Sequence, residues 1–324
     1  MIILHWRSHV PPATRVVVLF GVGLIGRSIL ESLVSRHSPK VATLPFTWGA
    51  SSRDQTSELG VIQAAILETC KVDLRNCWVD IIWSAGRAGF GDGSEAFDGE
   101  LLSFKAVVSM CQRLAGHLPE NDQVKLHLVS SAGGLFEGLR QVGLHDEPSP
   151  RRPYGHAKLA QEYALQAIKE GIPFAIYRPS SVYGYGGTRG RVGLIAALID
   201  AALRNDTAVI FGYQETLRDF VFVKDIGRFI AERISDEKRE SQICLLASGR
   251  PTSVYEVVSL VERVMGLRLA LRFVRGGNNI LHNSYRPSAL SSHWIPTSLE
   301  IGVATMAAQM RMQYFSKFVD NERA

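Results

Sequence analysis

A doubly wound α/β architecture, a parallel sheet covered by helices on both faces and followed by a smaller interleaved α/β lobe, is what this 324-residue sequence predicts. Three observations predict it. An apolar strand runs straight into a glycine-rich turn and a helix at residues 15–36. Strand-like and helical segments then alternate as far as residue 178. Tyr154 and Lys158 stand one helical turn apart in the helical segment before the last of those strands.

Taken in order, Arg15-Val16-Val17-Val18-Leu19-Phe20 has the unbroken apolar run of a strand buried on both faces. Gly21-Val22-Gly23-Leu24-Ile25-Gly26 follows, a G-x-G-x-x-G turn opening a helix that extends to Arg36. Glycines there let the backbone turn tightly and approach a pyrophosphate, and the helix start offers unpaired N–H groups and the positive end of its dipole. A glycine-rich turn that merely packs a helix on a sheet has the same letters. Further strands are expected at 41–48, 79–84, 124–130 and 174–178, with helices at 54–70, 99–116 and 154–170 between them. In the last helix Leu159, Ala160, Tyr163, Ala164, Ala167 and Ile168 form an apolar stripe, and Gly171 stands where a C-terminal cap belongs. Past Ser181 the character changes. Gly184, Gly186, Gly187 and Gly190 form a crossover, and a helix at 193–204 precedes short strands and Pro-containing loops. The expected organisation is an N-terminal arm at 1–14, a dinucleotide-binding domain at 15–180 to which 219–235 returns, and a mainly ligand-binding lobe at 181–324.

A hydrophobic content of 46% suffices for a large core, and the net charge of +5 suits an anionic ligand. The basic residues are dispersed, and no run of them resembles a nucleic-acid tract. Cys70, Cys77, Cys111 and Cys244 lack C-x-x-C spacing and a paired His, which argues against a zinc site or a disulfide framework and for a reducing compartment. The apolar run before His5, Trp6 and Arg7 is too short for a signal peptide or a membrane span, so residence in the cytoplasm is the default expectation.

Tyr154-Gly155-His156-Ala157-Lys158 carries the chemistry. A phenol ionises near pH 10 and is a poor base at neutrality unless a fixed cation favours the phenolate, which Lys158 can supply. A Tyr and a Lys at this spacing can equally be an amphipathic pair on a helix surface.

Together the motifs resemble those of the extended short-chain dehydrogenase/reductase family, the NAD(P)-dependent epimerases, dehydratases and reductases of nucleotide sugars. The likeness runs in order from the glycine-rich turn through Ile81-Ile82-Trp83-Ser84-Ala85-Gly86, Ser130-Ser131 and Pro153-Tyr154-Gly155 to Lys158. It continues through Arg178-Pro179-Ser180-Ser181-Val182-Tyr183-Gly184, Arg218-Asp219-Phe220-Val221-Phe222-Val223 and Trp294-Ile295-Pro296-Thr297-Ser298-Leu299-Glu300.

The resemblance implies a Rossmann-type sheet, with Tyr154 as acid/base, Lys158 as its cation and a second contact to the nicotinamide ribose, and Ser131 holding the reacting sugar oxygen. Ser130 competes for that last role. The implied cofactor contacts are Gly21, Gly23, Leu24, Ile25, Gly26, Arg27, Arg53, Ala85, Gly86 and Pro179, besides Tyr154 and Lys158. Arg218 and Arg286 correspond to arginines that grip a nucleotide diphosphate, and Ser181 falls where many relatives contact substrate with an Asn. Asp73 resembles an Asp that touches adenine, although too few residues separate it from the strand at 79 for the usual helix. The family also implies a homodimer, with the helix at 99–116 as a candidate face or as ordinary core.

Departures from the pattern refine this. Phe20 stands where relatives carry a Gly, so the turn should be somewhat reshaped. Residues 43–48 contain no carboxylate for the adenosine ribose, while Arg53, with Ser51, Ser52 and Arg27, could receive a 2′-phosphate, which favours NADP(H) over NAD(H). Ala132-Gly133-Gly134 after Ser131 offers no paired acids, which argues against elimination of water. What remains is an epimerase acting at C4 in the polysaccharide-type pathways of nucleotide sugars. The alternative is an NADPH-dependent 4-keto-sugar reductase, and a third reading is a non-catalytic NADP(H)-sensing protein on the same fold.

Overall fold

The computed structural model describes residues 1–7, 14–47, 52–86, 92–168, 171–187, 193–236, 238–274, 281–291 and 293–321, without the side chains of residues 52, 53 and 317–321. The chain runs β1 (Ile2–Arg7), β2 (Thr14–Phe20), α1 (Leu24–His37), β3 (Lys40–Thr43), α2 (Ser52–Cys70), β4 (Cys77–Trp83), α3 (Glu95–Ala115), β5 (Val124–Val129), α4 (Ala132–Leu135), α5 (Pro153–Gln166) and β6 (Phe174–Pro179). It continues with β7 (Ser181–Tyr183), α6 (Leu194–Arg204), β8 (Thr207–Phe211), β9 (Leu217–Phe222), α7 (Val223–Ser235), β10 (Gln242–Leu246), β11 (Pro251–Ser253), α8 (Val254–Met265), β12 (Ala270–Val274) and α9 (Leu299–Asn321).

Seven strands form the main sheet in the order β10-β6-β5-β4-β2-β1-β3. The apolar run of β2 is divided between two cores, as the two-residue period requires. Val16, Val18 and Phe20 face α2 and α3, with Ile62, Ile66, Phe104 and Val107. Val17 and Leu19 face α1 and α7, with Ile29, Leu33, Ile226 and Ile230. The second lobe packs α6, α8 and α9 around Leu198, Ile199, Val257, Val261 and Met306, beside the β11-β9-β7 and β12-β8 sheets. Its helix α8 starts at a capping box in which Ser253 Oγ accepts from Glu256 N (3.1 Å) and Ser253 N donates to the Glu256 carboxylate (2.7 Å).

Several expectations need correction. The N-terminal arm is a strand: β1 pairs antiparallel with both β2 and β3, wedged between them. Leu4 and Trp6 pack into one core, with Ile2 beside them, and Ile3 packs into the other, so the strand has two faces to bury, which a loose arm would lack. The second predicted strand is only Lys40–Thr43. Helix α5 ends at Gln166, with Ala167 and not Gly171 at its cap. Its buried face is also not the apolar stripe: Tyr163 is exposed, while Lys158, Gln161 and Glu162 are buried with Leu165. The return to the first lobe goes beyond α7, since β10 adds an edge strand beside β6. Cys70 and Cys77, which showed no disulfide pattern, are bonded to each other, and Cys111 and Cys244 are buried thiols.

A buried polar network closes the bottom of the sheet. Asp80 on β4 accepts from Arg239 Nη1 (3.1 Å) and from His127 Nε2 (2.9 Å), whose Nδ1 faces the Tyr177 hydroxyl at 3.0 Å. Burial holds His127 below its ordinary pKa, so a neutral ring donating to Asp80 and accepting from Tyr177 satisfies all three groups. Burial alone would raise the Asp80 pKa, but Arg239 and the His127 hydrogen bond outweigh it and bring the carboxyl down to about 2. Both shifts make the unfolded chain bind more protons in acid. Stability should therefore fall first as pH drops below the ordinary His value and again as it drops from the ordinary Asp value through about 2. Asp80→Asn should cost about 3 kcal/mol, because it strands the Arg239 charge. Denaturant titrations from pH 7 to pH 3 should show the variant less stable throughout and with a flatter acid dependence.

Candidate active site

The glycine turn sits on the C-terminal edge of the sheet. Gly21 has φ +90°, and a Cβ there would lie 2.5 Å from Ala85 Cα, so the turn rests directly on the end of β4. A Cβ on Gly26 would collide with the Gly21 carbonyl. Gly23 is different: an added Cβ meets nothing within 4 Å, and it caps α1 with no side chain over the helix start. An open cradle before uncapped N–H groups fits a pyrophosphate. Ser84 Oγ donates to Gly21 O (2.6 Å) and locks the turn to the strand end.

Phe20 does not block this cradle. Its ring points down into the core, 4.9 Å from Phe46 edge-on and 5.9 Å from Trp83. At the adenosine side the segment after β3 is pinned by α2, with Thr47 N and Oγ1 donating to Glu58 at 2.6 and 2.7 Å. A carboxylate from a neighbouring helix, Glu58, thus stands beside the segment after β3 and is engaged by Thr47. Ser51 and the Arg53 side chain lie outside the described residues, and Arg27 is found beside Gly187 of the second lobe. Asp73 is displaced altogether. It caps a 3-10 turn at Leu74–Asn76 through Asn76 N and Nδ2 (3.3 and 2.8 Å), ahead of β4 and at the opposite end of the sheet.

Pro153 begins α5, and Tyr154 lies half-buried on the backbone of Gly134, where an added Cβ would come within 2.8 Å of the ring. Lys158 is buried one turn on, donating to Val129 O and Gln161 Oε1, both at 3.2 Å. Burial pulls its pKa down to about 8 against the opposing pull of Glu100 and Glu162. Glu100 also borders Gly86, 3.5 Å from where a Cβ would stand, so the lysine and the end of β4 share one carboxylate. The two serines separate cleanly. Ser130 Oγ donates to Glu162 (2.5 Å) in the interior, whereas Ser131 caps α4 by accepting from Gly134 N (3.1 Å), on the turn that carries Tyr154.

On the second-lobe side, burial lowers the pKa of Arg218 on β9, opposed by Glu137, with Arg152 and Tyr285 also near. Arg286 is half-exposed and engaged by Asp146 (3.0 and 3.1 Å) and Gln141 O (2.6 Å). Ser181 opens β7 opposite Phe220, and Pro179 closes β6 opposite Leu246. Ser84, Glu100, Glu137, Arg152 and Glu162 were not singled out from the sequence. Glu162 alone had a readable signal, being one turn beyond Lys158 on the same helix face.

The open phosphate cradle rests on the small strand end, and the buried lysine is linked to that end through Glu100, so fold and site define an enzyme that works with a nicotinamide dinucleotide. The model of the NAD dependent epimerase/dehydratase family matches residues 16–243, and the chain belongs to that family. The "Putative UDP-glucose 4-epimerase" of Methanocaldococcus jannaschii is 24% identical over 263 residues, which cover 78% of this chain and 83% of that protein. UDP-glucose 4-epimerase of Thermus thermophilus, solved with NAD, superposes with a TM-score of 0.74 at 20% identity, over 92% of this chain and 99% of that one. RMD of Pseudomonas aeruginosa, solved with NADPH, superposes with a TM-score of 0.69 at 18% identity, over 91% and 97% of the two chains. No helix among the described residues is long and apolar enough to cross a membrane, and no cluster of potential metal ligands occurs among them.

The glycines provide a paired test. Gly23→Ala keeps an allowed backbone (φ −75°) and open space, so it should fold normally yet weaken NAD(P) binding on the order of tenfold by occupying the cradle. Gly26→Ala should lower the melting temperature as well, which calorimetry with and without cofactor resolves.

Proposed function

We propose that the protein is an NAD(P)-dependent nucleotide-sugar epimerase acting at C4 of the sugar. The observation that carries this is Lys158, buried one helical turn behind Tyr154 and held by Val129 O on the strand that leads to Ser131. When bound, the nicotinamide accepts and returns a hydride. Tyr154 takes the proton of the C4 hydroxyl as that hydride leaves, and hands it back when the carbon is reduced on its other face. Lys158 favours the phenolate by its charge. Ser131 uses one lone pair on Gly134 N, leaving its O–H to hold the reacting oxygen. Water elimination needs a second acid beside Ser131, but Ala132-Gly133-Gly134 follows in α4, and the next carboxylate, Glu137, is paired with Arg152.

Tyr154→Phe should lower kcat by about 100-fold or more while cofactor still binds. Because the Lys158 pKa is depressed to about 8, the charge supporting the phenolate is lost as pH rises through that value, so kcat of the wild type should fall on the alkaline side there. A wild type that binds NADP(H) without turning over any nucleotide sugar, with that binding unchanged in the Tyr154→Phe variant, would support the sensor instead.

NADP(H) over NAD(H) belongs to the same proposal, resting on the carboxylate-free strand end and Arg53. Glu58, engaged with Thr47, is the observation on the other side. Fluorescence titration should show NADPH binding more tightly than NADH. Nucleotide released by denaturing the purified protein discriminates further: retained NAD(H) overturns the NADP preference, whereas an empty protein selective for NADPH favours the 4-keto-sugar reductase. The expected homodimer finds Leu102 as the exposed large apolar residue of α3, and light scattering counts the copies.

A further inference from the structure

Glu137 belongs to no part of the machinery described so far, yet it is buried in the middle of it. It lies in the turn after α4, three residues past Gly134, whose backbone supports the Tyr154 ring. Its Oε1 pairs with Arg152, two residues before Tyr154, and its charge reaches Arg218 on β9 of the second lobe. Only 1% of the residue is exposed, and Oε2 has no hydrogen-bond partner among the described residues. A carboxylate oxygen out of water and without a donor is costly, and the ion pair with Arg152 engages only the other oxygen. The oxygen therefore calls for a donor from outside the chain. Its position selects which one: between a phenol that works on the sugar and an arginine suited to a diphosphate, the group that passes is the sugar ring. A hydroxyl donates there, whereas another carboxylate or a phosphate oxygen only accepts and is repelled.

We propose that Glu137 is a sugar-recognition residue, its Oε2 accepting a hydrogen bond from one hydroxyl of the hexose, with Arg152 and Arg218 as the residues that orient it. The inference rests on the nucleotide-sugar reading above and deepens it. Steady-state kinetics with UDP-glucose, UDP-galactose and their 2-, 3- and 6-deoxy analogues test it in the wild type and in Glu137→Gln. In the wild type one deoxy analogue should lose about tenfold or more in kcat/KM, the scale of a hydrogen bond to a charged acceptor. Glu137→Gln should lose as much on the parent sugar and nothing further on that analogue, with NAD(P) affinity unchanged. Equal kcat/KM for all deoxy analogues in the wild type overturns the proposal, even if the variant fails to fold. So does a folded variant with parent kinetics, which would mean that no hydroxyl of the sugar reaches Oε2. Failure of every hexose to bind or turn over, with NAD(P) bound normally, overturns the parent reading and this one with it.

Discussion

The site depends on one buried ion pair. Glu162 on α5 accepts from Arg178 Nε and Nη2 (3.1 and 2.7 Å) and from Ser130 Oγ (2.5 Å), and the carboxylate is fully buried. Three elements meet there: α5, the end of β5 and the end of β6. A fork-to-fork pair fixes direction as well as distance, so it sets the rotation of α5 about its axis. Lys158 and Tyr154 lie one and two turns back along the same face, and that rotation is what aims them. The pair also occupies Ser130, whereas Ser131 caps α4, and the negative charge of Glu162 helps to keep Lys158 ionised despite burial. Arg178 lies over the Phe136 ring at 5.6 Å, which excludes water from the pair. Burying such a pair gains little net stability, but breaking it strands a charge, so the arrangement is held in one geometry.

What could be read in the sequence follows from how local each signal is. The β2 run, the glycine turn and α1 lie in adjacent residues, and each behaves as its neighbours dictate. Tyr154 and Lys158 were legible because a helix converts a spacing of four into a shared face. The same rule misled for the stripe at 159–168, since it assumes that an apolar face is the buried one. Here the buried face of α5 is polar, because Arg178, Ser130 and the Val129 carbonyl come from distant strands to satisfy it. The β1 wedge, the Cys70–Cys77 bond and the Glu137 cluster are likewise contacts between elements, and nothing in the spacing of their residues announces them.

The wedge matters for the cofactor. Inserting β1 moves β3 from one strand spacing to two, roughly 9–10 Å from β2, which takes the end of β3 away from the glycine turn. The chain recovers the distance with the segment after β3: Phe46 folds back under Phe20, and Glu58 and Gln55 of α2 fasten Thr47 there (Gln55 Nε2 to Thr47 O, 3.3 Å). The segment beside Phe20 is therefore held by α2 and not by a strand terminus. That is why a rule keyed to the last residue of the second strand reads it poorly.

Lys158, Arg152, Arg218 and Arg286 are each set against a carboxylate, at different depths. Lys158 faces Glu100 and Glu162, Arg218 and Arg152 share Glu137, and Arg286 has Asp146 to itself at the surface. An exposed pair such as Arg286–Asp146 contributes little and is cheaply exchanged for another anion. Arg218 is the opposite case. Burial disfavours its charge, and Glu137, the carboxylate that opposes this, is also paired with Arg152. The pairs thus run from an exposed one at Arg286 to the buried Glu137 carboxylate, with the partly buried Arg218 beside it.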